Sequence, residues 1–267
     1  MMVDWWWAYL ALGGFVGFFG GLLGIGGGAA MVPVLAIIYA AKGFAPAAIV
    51  HLALGTSIAT MIFTSASSVT SHHRRGAVHW PAWRRMLPGV IAGTLAGALL
   101  AGRLDPRLLA IAFTILIYAL ATQMLLDAKA APGGRLQGVG SMSAAGGAIG
   151  FISSLSATGG AALTVPYLVK RGLGIHQAIG TAAAVGWPLA LAGTLGYAFT
   201  GRNRAGLPAG SAGYVYLPAL AWIAAASMAA APLGARVAHR ARGRTLKRDF
   251  AVVLYGLATN MLVSSFR

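Results

Sequence analysis

An uncharged apolar run from Trp5 to Ala41 is broken by Gly24-Ile25-Gly26-Gly27-Gly28-Ala29-Ala30-Met31-Val32-Pro33. A membrane-spanning helix needs about 20 residues, so the run is too long for one span. It reads as helix, tip at Gly24 to Gly28, and returning helix. Each glycine costs a helix interior about 1 kcal/mol relative to alanine, so a cluster of them marks a place where regular helix is not wanted. A looser copy follows as Ala157-Thr158-Gly159-Gly160-Ala161-Ala162-Leu163-Thr164-Val165-Pro166. Interrupted helices at corresponding positions of two halves are the sequence mark of a transporter's binding site.

The rest of the chain agrees with a membrane setting. Only 9% of residues are charged and 58% are hydrophobic, against roughly 25% charged in soluble domains. The net charge of +16 does not indicate nucleic-acid binding, because the basic residues cluster in short loops between apolar segments, as the positive-inside rule requires. Cysteine is absent, which excludes disulfides and thiolate metal sites. Met1 to Trp7 lacks a basic start and is not expected to be a cleaved leader. Trp5, Trp6 and Trp7 suit an interfacial anchor.

In order, the spans expected after the first hairpin are Ala45 to Ser68, Met86 to Ala101 and Leu108 to Leu126, with a polar loop between the first two that holds His72 to Arg75, His79, Trp80, Arg84 and Arg85. Lys129 to Gln137 is linker-like. The pattern then repeats. Gly17, Gly26, Gly27, Ala29, Val32 and Pro33 correspond, at one constant offset, to Gly150, Gly159, Gly160, Ala162, Val165 and Pro166. His51, Gly55 and Thr56 correspond in the same way to His176, Gly180 and Thr181. Leu87-Pro88 is paired with Leu217-Pro218. Tyr118, Thr122 and Met124 correspond, again at a constant offset, to Tyr255, Thr259 and Met261. The organisation predicted is an all-α polytopic membrane protein with an internal duplication. Residues 1–128 form the first copy, 129–138 a cytoplasmic linker and 139–267 the second copy. Each copy is a broken or re-entrant helical hairpin plus three spanning helices.

Charge fixes the relative orientation expected of the copies. If each glycine stretch belonged to one long span, the basic residues would divide nine against eleven across the membrane. If each is a hairpin tip that returns to its side of entry, they divide fourteen against six. Only the second arrangement obeys the positive-inside rule. It makes the copies inverted, places both termini outside the cytoplasm, and suits a bacterial inner membrane.

A tip inside the bilayer must have its backbone groups satisfied by protein, water or ligand, and the start of the returning helix offers free N–H groups and a positive dipole end. Gly26, Gly27, Gly28, Gly159 and Gly160 are therefore candidate anion-binding positions. Ser156 and Thr158 add hydroxyls there, with Ser153, Ser154 and Thr164 nearby. The alternative for these glycines is close helix packing, the reading given to Gly17, Gly20, Gly21, Gly93 and Gly97. Thr56, Ser57 and Thr181 are further candidate substrate hydroxyls, or bond to carbonyls of the preceding turn. His51 and His176 could couple or gate transport, or simply cap the interface. Gln123 and Asn260 are symmetric amides suited to inter-helix bonding or substrate contact. Tyr118 and Tyr255 read as packing residues. The four aspartates, Asp4, Asp105, Asp127 and Asp249, sit at segment ends, so no carboxylate stands ready for a cation at mid-membrane. No catalytic or metal-binding spacing occurs, so no enzyme, metal or cofactor is expected.

These motifs, Gly24 to Pro33, its second copy ending at Val165-Pro166, and the His and Gly-Thr helix after each, resemble the TauE/SafE family of sulfite and organosulfur anion exporters over nearly the whole chain. The resemblance implies export of small sulfur-containing anions such as sulfite, sulfoacetate or related sulfonates, with binding near the paired motifs. It departs from thiosulfate-importing relatives, which are thought to use cysteine. The second copy has Thr158 and Ala161 in place of Ile25 and Gly28, so an asymmetric site is expected. The partners are a small anion and the lipid bilayer, without nucleic acid; a homodimer is one of the assemblies open to such a chain. A passive anion channel and a partner subunit with no substrate of its own are the alternative readings.

Overall fold

The computed structural model describes residues 5–23, 28–126, 134–238 and 243–264. Among these are helices α1 (Trp6–Leu23), α2 (Gly28–Ala41), α3 (Pro46–Arg74), α4 (Trp80–Ala101) and α5 (Pro106–Leu126). After the 129–138 region come α6 (Val139–Ser156), α7 (Ala161–Lys170), α8 (Ile175–Gly201), α9 (Leu217–Ala238) and α10 (Gly243–Ser264). A two-residue ribbon, β1 (Ser211–Ala212) against β2 (Val215–Tyr216), stands antiparallel before α9. The described residues are thus all-α apart from this ribbon. Helices α3, α5 and α8 are long and apolar enough to cross a membrane by themselves. Large apolar side chains such as Ile115, Leu126, Leu195 and Phe199 are exposed, as a lipid-facing surface demands.

Two expected boundaries shift. The polar loop assigned to residues 72–85 shrinks, because α3 continues to Arg74 and α4 begins at Trp80. Nothing breaks the helix before Gly76, which has φ of +66° and suits glycine alone. At the other end, Pro81 suits the first turn of a helix, and His79 caps α4 by accepting the Ala82 N–H at Nδ1, 3.1 Å away. The second shift concerns the repeat. Helix α4 opens as Trp80-Pro81-Ala82-Trp83 and α9 as Leu217-Pro218-Ala219-Leu220. Pro218 therefore corresponds to Pro81, at the same offset that relates Tyr118 to Tyr255. The pairing of Leu87-Pro88 with Leu217-Pro218 is out of register by two helical turns.

Each first helix packs on a distant fourth helix: α1 lies on α9, and α6 on α4. These seams are built on glycine because two backbones touch. A β-carbon at Gly13 would fall 2.6 Å from the Ile223 carbonyl oxygen, and one at Gly17 would strike Ser227. A β-carbon at Gly146 would fall 2.6 Å from the Met86 carbonyl oxygen, and one at Gly150 2.6 Å from that of Val90. On α4, Gly89 and Gly93 meet the backbone of Ser143 and Gly147. Helix α8 packs on both α3 and α4, and α5 packs on α10. Where α5 meets α10, the Tyr118 hydroxyl bonds Thr259 at 2.6 Å and the Tyr255 hydroxyl bonds Thr122. Those two hydroxyl pairs link the helices, whereas Gln123 is half-buried and Asn260 exposed. The predicted amide pairing is therefore replaced by a tyrosine–threonine one. The larger core gathers side chains of α1, α2, α3 and α5 with those of α8, α9 and α10, among them Tyr39, Leu54, Phe113, Tyr197, Ile223 and Leu254.

Candidate functional site

The second glycine motif is a sharp, buried break. Helix α6 ends at Ser156, and Ala157 takes the left-handed region at φ +49°, which costs an L-residue about 1–2 kcal/mol. Gly159 and Gly160 follow at φ +69° and +75°, where the lack of a side chain removes that cost. Two amide N–H groups, of Leu163 and Thr164, return to the Gly160 carbonyl and start α7. Those of Ala161 and Ala162 precede them in the first turn and have no acceptor one turn back. The break is largely buried: Ala157 is fully buried, Ser153, Ser154, Ser156 and Thr158 are buried with it, and Gly159, Ala161 and Ala162 are half-buried.

Hydroxyls here fall into two sets. Ser154 and Ser156 donate to carbonyls of their own helix, at Phe151 and Ile152, and Ser156 also pairs with Thr158 at 3.1 Å. Ser153 Oγ and Thr164 Oγ1 are buried without a partner among the described residues, as are the hydroxyls of Ser57, Thr94, Tyr9, Tyr167 and Ser211 on other parts of the fold. Ser153 lies beside Gly160, 3.6 Å from where a β-carbon there would stand. An orphan buried hydroxyl costs about 1–3 kcal/mol, so a group of them points to a ligand or an altered conformation.

The two motifs meet. Gly28, the first residue of α2, abuts the Ala157 carbonyl, and a β-carbon at Gly28 would collide with it. The same β-carbon would collide with the methyl of Met61, whose sulfur is 3.5 Å from the corresponding point on Gly159. Met61, 2% exposed on α3, thus fills the space between the motifs with a flexible thioether. Gly26 and Gly27, also expected at the site, lie outside the described residues.

Thr56 and Thr181, expected as substrate hydroxyls, do something else. Thr56 Oγ1 accepts the Tyr216 N–H at 3.0 Å and the Tyr39 hydroxyl at 3.3 Å. Thr181 Oγ1 accepts the His79 N–H at 2.9 Å. Both therefore pin the residue just before a fourth helix, α9 or α4, and serve the frame. The adjacent glycines do likewise: Gly55 meets the Tyr214 carbonyl and Gly180 that of Ala77. The histidines part company. His51 is buried, stacks on Tyr214 with ring centres 4.7 Å apart, and its Nε2 donates to the Ala101 carbonyl at 3.1 Å. His176 is exposed at the start of α8, so the two do not share one role. Asp105 is spent on the first turn of α5, accepting the Arg107 N–H at 2.8 Å, and Asp249 is exposed on α10. Neither of these carboxylates lies at the break; Asp4 and Asp127 fall outside the described residues.

Met61 and Thr94 carry no mark in the sequence. Met61 stands in a different helix from either glycine motif, and a methionine in an apolar helix reads as ordinary packing. Only the approach of α3 to both motifs singles it out.

Apolar helices around a buried backbone break with orphan hydroxyls are the architecture of a membrane transporter. The sequence matches the family model described as sulfite exporter TauE/SafE over residues 9–261. It is 36% identical over 267 residues to a "Probable membrane transporter protein" of Haemophilus influenzae, covering 95% of this chain and 97% of that one. It is also 28% identical over 118 residues to "Probable membrane transporter protein YunE" of Bacillus subtilis, covering 44% of this chain and 41% of that one. No solved structure matches. The chain belongs to the sulfite exporter TauE/SafE family, and is a membrane transporter.

Proposed function

We propose that this transporter moves small sulfur-containing oxyanions, sulfite or sulfonates such as sulfoacetate, outward across the inner membrane by alternating access. The anion binds at the start of α7, on the Ala161 and Ala162 amides with Ser153 and Thr164. It is held against the start of α2 when Met61 withdraws. The observation that carries this reading is the set of partnerless buried hydroxyls at a left-handed break that abuts Gly28. A helix start with spare N–H groups favours an anion, and the family description names a sulfite exporter.

Residues 1–128 and 139–267 act as inverted copies that rock against each other. Four kinds of contact support the duplication, each present twice with its partners at matching offsets: the glycine seams, the threonine anchors, the Gly55 and Gly180 approaches, and the tyrosine–threonine pairs. The basic-residue count supports inversion, with both termini outside. A reporter fused to the C-terminus that is active only in the cytoplasm would overturn the orientation.

The site is tested in proteoliposomes with Ser153→Ala and Thr164→Val. Removing an orphan hydroxyl relieves a desolvation cost, so both variants should keep or gain thermal stability while losing sulfite or sulfoacetate flux. Unchanged flux in both variants would remove the site assignment.

A further inference from the structure

Helices α3 and α8 correspond at the offset that relates His51 to His176, yet their second halves meet different surroundings. On α8 the stretch is apolar and closed. Ala192 and Gly196 are buried, a β-carbon at Gly196 would fall 2.6 Å from the Ala98 β-carbon of α4, and one at Gly193 would fall 3.3 Å from Thr94. At the far end Thr200 touches Gly102. On α3 the corresponding residues are Ser67 for Ala192, Ser71 for Gly196 and Arg75 for Thr200. All three are exposed, and with Thr70 and Arg74 they line one side of a cleft of about 680 Å³, opposite Met228 of α9.

The chemistry of this face separates water from lipid. The α8 counterparts of Thr70 and Arg74 are Leu195 and Phe199, exposed apolar side chains suited to acyl chains. The charged Arg74 in place of Phe199 needs an aqueous surface, whereas Thr70 spends its hydroxyl on the Ala66 carbonyl at 2.9 Å. Two guanidinium groups with the Ser67 and Ser71 hydroxyls, beside the apolar Ile62, Phe63 and Ala66 and with no carboxylate among the described lining residues, form a surface for an oxyanion.

We infer that this cleft is a water-filled vestibule that collects a small oxyanion on the face carrying the basic loops. The α8–α4 seam is its closed counterpart on the opposite face. Among the described residues α3 thus stands open where α8 is closed on α4. The role in transport rests on the function proposed above, but the anion's presence in the cleft can be read without any flux.

The absence of cysteine makes single-cysteine labelling of the full chain in proteoliposomes direct. Ser67→Cys and Ser71→Cys should react with a sulfonate-bearing maleimide from the Arg74 face about tenfold faster than with a neutral maleimide of similar size, as expected for an electropositive cleft. Adding Arg74→Gln and Arg75→Gln should bring that ratio close to one, sulfoacetate should slow labelling, and Ala192→Cys should stay unlabelled. A ratio near one with both arginines present, or Ala192→Cys labelling as fast as Ser67→Cys, overturns the inference. So does labelling that is slowed by phosphatidylglycerol in place of phosphatidylcholine and not by sulfoacetate, which would make the cleft a lipid headgroup site. Sulfoacetate flux by the unmodified chain, measured in the same vesicles, reports separately on the transport reading. Labelling as expected without flux would leave the anion cleft standing and remove the transport role.

Discussion

Helices α3 and α8 begin alike and end differently. At their starts, Gly55 and Gly180 let a neighbouring backbone approach, and Thr56 and Thr181 each hold the N–H of the residue that precedes a fourth helix. One turn further the likeness fades. Met61 fills the gap between the two glycine motifs, whereas its counterpart is Gly186, which leaves room for the Gly159 carbonyl. Beyond that, α3 carries serine, threonine and arginine where α8 carries alanine, glycine, leucine and phenylalanine. The contacts that assemble the helices are repeated, and the surfaces that would guide a ligand are not. Repeated contacts can thus coexist with unlike surfaces, because the contacts are fixed by backbone approach and the exposed residues only by what they must touch.

That comparison can be broken by substitutions made in pairs. The largest effect is expected at the seams. Gly17→Leu and Gly150→Leu each drive a side chain into a neighbouring backbone carbonyl, and overpacking of this kind costs about 1–3 kcal/mol or more. Both variants should lose most of the monodisperse protein on size exclusion. Tolerance of one and loss of the other would end the equivalence of the seams.

Thr56→Val and Thr181→Val come next. Each strips a backbone N–H of its acceptor, at Tyr216 or His79, for about 1–3 kcal/mol. Similar drops in thermal midpoint are expected from the two, with the apparent KM for the transported anion unmoved. A large rise in KM would return these hydroxyls to the binding site. Met61→Leu nearly conserves volume and should change stability by less than about 1.5 kcal/mol. It should still slow flux, because a branched side chain leaves the gap less readily than a thioether; unaltered flux would remove Met61 from the path. The smallest effect belongs to Tyr118→Phe, which loses the bond to Thr259, and Tyr255→Phe, which loses the bond to Thr122 and a longer one to the Tyr118 carbonyl, at about 0.6 kcal/mol per bond in a membrane. Thermal unfolding should show small shifts, that of Tyr255→Phe no smaller than that of Tyr118→Phe.

How much of this is legible in the sequence depends on the kind of contact. The glycine motif at 157–160 announces a break, since glycine in series is the local signature of backbone that leaves the helix. The repeat is legible because its marks, glycine, threonine and tyrosine at fixed offsets, are the residues of the frame. The register of α4 against α9 is not, because Leu-Pro recurs by chance in apolar sequence and only the helix starts show that Pro81 is the partner of Pro218. The amides Gln123 and Asn260 are chemically apt for bridging helices, yet which residue of a turn faces its neighbour depends on helix rotation. Tyr118, Thr122, Tyr255 and Thr259 take that place.

The sequence by itself determined a helical membrane protein, the glycine-marked break at 157–160 and a repeated order of landmarks, because hydropathy, glycine cost and spacing are local or periodic quantities. Tertiary structure alone decided that Gly28 abuts Ala157, that Met61 stands between the motifs, and that α3 lines an open cleft while α8 closes on α4. Those facts depend on which distant backbones approach, and close approach is a property of the packed helices together rather than of any one stretch of chain.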